Sequence, residues 1–103
     1  MKLIFNIDYR TNWGESVYVT GDIPALGAGD FKKALKLTLD GTSNWSLAVE
    51  LPDDTPSFTY KYVVISEEGS VKEEWGKGNI FTPAADTKTY AIYDRWQDQP
   101  QNR

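Results

Sequence analysis

The chain has 103 residues, 40% of them hydrophobic and 25% charged, which suits one globular domain and excludes a multidomain enzyme. The formal charge of −4 opposes binding to a phosphate backbone or an anionic membrane, so neither nucleic acid nor membrane is expected as a partner. The sequence contains neither Cys nor His, which removes disulfides, thiolate zinc sites and His-based nucleophilic triads; no metal or cofactor is expected. What the chain has in quantity is aromatic surface: four Trp, six Tyr and four Phe.

In chain order, Leu3, Phe5 and Ile7 alternate with Lys2, Ile4 and Asn6, the period of a strand. Further runs with strand composition follow at Ser16 to Thr20, Ala34 to Leu39, Trp45 to Leu51, Phe58 to Ile65, Val71 to Trp75 and Thr89 to Tyr93. Turn residues separate them: Asn12-Trp13-Gly14, the stretch Gly21 to Gly29, Asp40-Gly41, Pro52-Asp53-Asp54, Glu68-Gly69 and Gly76-Lys77-Gly78. Only Phe31 to Lys36 offers a helical turn. Short strands with no long helix predict an all-β fold, an immunoglobulin-like antiparallel β-sandwich of about seven strands. The domain is drawn over residues 1–96. The polar residues 97–103 read as a tail or as a linker to a following domain. The N-terminus turns polar after three apolar residues, so it lacks a signal-peptide core, and the expected setting is cytoplasmic.

Read in order, the segments resemble carbohydrate-binding module family 20, the starch-binding domain. The most specific is Gly14-Glu15-Ser16-Val17-Tyr18-Val19-Thr20-Gly21-Asp22-Ile23-Pro24-Ala25-Leu26-Gly27. Lys33-Ala34-Leu35, Trp45 leading to Glu50-Leu51-Pro52, Phe58-Thr59-Tyr60-Lys61-Tyr62, Trp75 before a Gly-rich loop with Asn79, and Asp94-Arg95-Trp96 complete it. The resemblance implies a β-sandwich that binds α-1,4-glucan (starch, glycogen, maltooligosaccharides or cyclodextrin) at two surface sites. The chemistry is consistent with that. A pyranose ring presents C–H groups on one face and hydroxyls at its rim, so flat aromatics cover the face while Lys and Asn pair with hydroxyls.

For the first family site the resemblance implies Lys61, Trp75 and the loop of Asn79. Trp75 stands one residue closer to Asn79 than the family spacing, and a slip in register would put Glu74 in its place. Gly29 occupies the position of the family's loop Trp, and Phe31 either substitutes for it or plugs the core. For the second site it implies Trp13 and Trp45. Trp13 lies between Asn and Gly in a loop, where a binding role is favoured. Trp45 opens an amphipathic strand and is either platform or core, while Trp96 is read as core. Lys61 alternates with Tyr60 and Tyr62 and is either solvated or a hydroxyl donor. The acidic runs Asp53-Asp54, Glu67-Glu68 and Glu73-Glu74 are read as solvated charge, since glycoside hydrolysis needs two carboxylates held in a cleft.

The expected function is therefore non-catalytic binding of α-1,4-glucan that tethers a covalently linked C-terminal catalytic domain, with a 4-α-glucanotransferase of the amylomaltase type as the expected parent. The competing expectation is a protein-interaction or regulatory domain that keeps the family fold without sugar binding, which Gly29 makes credible.

Overall fold

A computed structural model describes residues 1–98 as a sandwich of two sheets. Nine strands form them: β1 (Lys2–Asp8), β2 (Glu15–Gly21), β3 (Leu35–Lys36), β4 (Thr38–Asp40), β5 (Asn44–Glu50), β6 (Phe58–Ser66), β7 (Val71–Glu73), β8 (Asn79–Phe81) and β9 (Thr89–Arg95). One sheet has the order β4-β5-β1-β9. The other has the order β3-β2-β6-β7, with β8 also paired to β6.

The alternation of β1 sets the layers. Leu3, Phe5 and Ile7 are buried, each burial contributing about 1.5–3 kcal/mol, and face Val17 and Val19 of β2 and Tyr60, Tyr62 and Val64 of β6. Phe5 meets Tyr60 edge to face at 5.2 Å between ring centroids. A buried phenol needs a partner, and Asp94 supplies it: its Oδ2 accepts from Tyr60 at 2.8 Å and from Tyr62 at 2.7 Å. Burial and the hydrogen bond to that carboxylate push both hydroxyls well above the ordinary tyrosine range.

The observed sandwich departs from the expected one in four places. First, it is antiparallel except for one pair: β9 returns beside β1 in parallel, with Phe5 opposite Ile92. Strand periodicity carries no information about pairing direction. Second, the run from Ala34 to Leu39 is two strands, because the chain leaves one sheet for the other at the buried Leu37; β3 pairs with β2 and β4 with β5. Third, β7 stops at Glu73, short of Trp75. Fourth, Asn79–Phe81, read as part of a Gly-rich loop, pairs with β6, which raises the count to nine strands. The helical turn at Phe31 is a 3-10 turn over Phe31–Lys33, and a second 3-10 segment lies at Pro24–Gly29.

Gly27 holds that segment's end with φ +85°, and a Cβ there would lie 2.7 Å from the backbone oxygen of Lys33, so only glycine fits. Gln97, the first residue of the stretch read as tail, is hydrogen-bonded to the sandwich. Gln97 donates its N–H to Glu74 Oε2 at 2.9 Å, and its carbonyl accepts from the Trp75 N–H at 2.9 Å. Of the expected tail, residues 99–103 lie outside the described residues.

Candidate glucan-binding site

β1 ends at Asp8 and the chain turns through Asn12-Trp13-Gly14 into β2. Two reciprocal bonds close this turn: the Glu15 N–H donates to the Asn12 carbonyl at 3.1 Å and the Asn12 N–H to Glu15 Oε1 at 2.7 Å. Gly14 supplies the positive φ, +79°, that the turn demands. The loop is anchored on its far side, where the Glu67 N–H donates to the Gly14 carbonyl at 2.8 Å. Trp13 projects from its tip fully exposed, 104% relative to a free residue. A braced loop that leaves a whole indole in water gains nothing in folding from it, and the arrangement is that of a surface built for contact.

Trp45 takes the other role. It is buried, 5% exposed, and belongs to the core cluster, with Nε1 donating to the Tyr9 carbonyl at 3.1 Å. It braces the base of the Trp13 loop from below. Though nearly buried, it also lines the groove of about 510 Å³ beside Trp13, with Tyr18, Lys36, Leu39 and Thr42. Tyr18 and Lys36 face each other across the β2–β3 pair, so a phenol and an ammonium stand beside the indole. The groove thus combines one free aromatic face with neutral and cationic hydrogen-bonding groups, the set that fits a hydroxyl-rimmed ring.

The residues expected at the first family site separate into two hollows, with Lys61 and Glu73 lining both. One, of about 450 Å³, is lined by Lys61, Lys72, Glu73, Trp75 and Trp96; the other, of about 250 Å³, by Lys61, Gly29, Phe31, Asp22 and Lys77. Phe31 lies outside the core cluster, which argues against the core plug. Gly29, with φ +83°, looks into open space. Trp75 is half exposed and follows the end of β7. It is Glu73, not Trp75, that meets Lys61: Nζ donates to Oε1 at 2.9 Å. Asn79 lines neither hollow. Its amide donates to the Tyr60 carbonyl at 3.4 Å and to Glu74 Oε1 at 3.2 Å, holding the loop that carries Trp75.

Glu74 is a correction to the reading of the acidic runs as solvated charge, for it is 1% exposed. Glu74 comes just past the end of β7 and falls opposite the buried Tyr62, whose carbonyl accepts from the Glu74 N–H at 3.1 Å, so it shares that residue's inward side while Glu73 stays exposed. Its carboxyl accepts from the Tyr62 and Gln97 N–H groups and from Asn79, and burial pushes its pKa up against the effect of those donors. Its role is structural: it ties β6, the Asn79 loop and the end of β9 together. Sequence reasoning also missed the Lys61–Glu73 pair, because two residues 12 apart become neighbours only through the β6–β7 register.

The profile of the starch-binding domain family matches residues 1–98. A glucoamylase of Neurospora crassa is 37% identical over 100 residues, covering 90% of this chain and 16% of that protein. A 4-alpha-glucanotransferase of Oryza sativa is 32% identical over 107 residues, covering 95% and 11%. The chain thus spans less than a fifth of the length of these relatives. Among solved structures, the glucoamylase of Hypocrea jecorina superposes with a TM-score of 0.83 at 26% identity, over 95% of this chain and 17% of that one. The family 20 module of a maltotetraose-forming amylase from Pseudomonas saccharophila covers 89% of this chain and all of its own, with a TM-score of 0.71 and 23% identity. Family profile, sequence relatives and shared fold agree: the chain belongs to the starch-binding domain family, carbohydrate-binding module family 20.

Proposed function

We propose that this domain binds α-1,4-glucan through the groove under Trp13 and does no chemistry itself, holding an attached glucan-active enzyme on its substrate. The observation that carries the reading is the fully exposed indole on a loop braced by the Asn12–Glu15 and Gly14–Glu67 bonds. A sugar ring laid on that face loses little water-bound polarity, because its hydroxyls stay at the rim in reach of Tyr18 and Lys36. Binding at one shallow platform is weak, with Kd of roughly 10 µM to 1 mM, and its value to the parent lies in raising the local substrate concentration. The first family site is reshaped in this chain, with Glu73 holding Lys61 and Gly29 offering no platform.

For the parent we propose a cytoplasmic 4-α-glucanotransferase. The similarity to the Oryza sativa enzyme over 95% of the chain supports it, and the glucoamylase similarity at 37% identity makes a hydrolase the competing parent. The binding reading is tested by mixing the chain with granular starch and with cellulose and measuring what stays in the supernatant. Selective depletion by starch is expected. Equal recovery from both would overturn the reading and favour a protein-interaction domain.

A further inference from the structure

The sheet β4-β5-β1-β9 turns its outer face to solvent, and its cross-strand rows are set by register. Ser46, Asn6 and Tyr93 stand in one row, and Asn44, Asp8 and Arg95 in the next. Tyr93 is 80% exposed although it sits in the middle of a seven-residue strand hydrogen-bonded along its length to β1. Its ring is therefore carried on a rigid element, and the inward residues of the same strand, Tyr90 and Ile92, already fill the core. Beside Tyr93 lies a hollow of about 250 Å³ bordered by Asn6, Asp8, Asn44 and Arg95. The Asn6 amide nitrogen donates to the Ile92 carbonyl at 3.2 Å and to the Ile4 carbonyl at 3.4 Å, which fixes the carboxamide without using its Oδ1 as acceptor. Asp8 and Arg95 stand opposite each other in the register and bring one charge of each sign to the shelf, whose hollow Asp94 also borders. An exposed aromatic with an immobilised amide, a hydroxyl row and charges of both signs matches a neutral polyhydroxyl ligand better than an ionic one.

The shelf also adjoins the Trp13 groove. Both border the β4–β5 turn: Leu39 and Thr42 face the groove, and Asn44, two residues past Thr42, faces the shelf. The turn is fastened to the end of β1 by Ser43 Oγ donating to Asp8 Oδ1 at 2.5 Å and by the Tyr9 N–H donating to the Ser43 carbonyl at 2.9 Å. We propose that the Tyr93 shelf is a second contact for the same α-glucan strand, reached by linear chains long enough to pass from the Trp13 groove across this turn. The inference rests on the glucan-binding reading above, and it makes the domain prefer extended chains over short or cyclic ones.

The test compares Kd for a long linear maltodextrin and for β-cyclodextrin, a compact ring that reports on the groove alone, in wild type, Tyr93→Ala and Tyr93→Phe. Loss of one stacked ring should raise the maltodextrin Kd of Tyr93→Ala roughly threefold to tenfold. The cyclodextrin Kd should move less than about twofold, and Tyr93→Phe should keep the wild-type preference. Thermal midpoints, expected to match because the side chain is in water, show that the variants are folded. Unchanged affinity for both ligands, or an equal loss for both, overturns the shelf and leaves the Trp13 reading standing. Failure of the wild type to bind either ligand overturns both.

Discussion

Replacing Trp13 by Ala removes the indole and nothing else, since the side chain is fully exposed and the loop is closed by backbone and Glu15 bonds. A sugar stacked on one indole face covers about 70 Å² of it and a similar area of its own, so about 140 Å² at about 25 cal/mol per Å² amounts to about 3.5 kcal/mol. Immobilising a side chain that is free in the unbound state costs about 0.5–1.5 kcal/mol. The net of about 2–3 kcal/mol corresponds to a roughly 30- to 150-fold rise in Kd. Isothermal titration with β-cyclodextrin reads this directly, with thermal unfolding as the control. The midpoint should stay within about 1 °C of wild type, because no folded-state contact is lost. A Trp13→Ala variant that binds within twofold of wild type would contradict this, for among the described residues lining the groove Trp13 is the one fully exposed aromatic, Tyr18 being half-buried.

Three further outcomes follow from the packing. Trp45→Ala should lower unfolding free energy by about 3–5 kcal/mol in chemical denaturation, the cost of emptying a core site, and a variant as stable as wild type would contradict its place in the core. Glu74→Gln should cost about 1–3 kcal/mol, because three donors converge on the carboxylate and an amide nitrogen would face one of them; Glu73→Gln, whose side chain is exposed, should cost under about 1 kcal/mol. With the Tyr60 and Tyr62 pKa values raised in the folded state, their protons are lost first from the unfolded chain. The stability they contribute is complete below the ordinary tyrosine value near 10 and falls as pH rises above it. Denaturant titrations from pH 8 to about 11 should show that decline, at up to about 1.4 kcal/mol per pH unit for each tyrosine, and Tyr62→Phe should make it shallower. A slope unchanged in that variant would contradict the assignment.

The strands were legible because alternation is strict wherever one face is buried: Leu3, Phe5 and Ile7 lie in the core as their spacing demands. The parallel pairing of β9 with β1 was not, since direction depends on where the chain returns. The split at Leu37 was hidden because a strand that changes sheets keeps its apolar residue at the crossing and reads as continuous. Among candidate site residues, the exposure of Trp13 was readable from its loop neighbours Asn12 and Gly14. Trp45 was left open between platform and core, and its indole N–H bond to Tyr9 depends on a contact 36 residues away. The Lys61–Glu73 pair, the burial of Glu74 and the exposure of Tyr93 all follow from register. A run such as Glu73-Glu74-Trp75 does not say which residue points inward until β7 is aligned against β6.

Two-dimensional amide and indole NMR during a β-cyclodextrin titration shows residue by residue whether this chain holds α-1,4-glucan through the Trp13 groove. The four Trp indole N–H groups are four separate reporters. Saturable shifts are expected in the Trp13 indole and in the amides of the Asn12–Glu15 turn and Thr42, with smaller changes at Trp75. Shifts confined to Trp75 and Lys61, or none at millimolar ligand in a folded chain, would contradict binding through that groove.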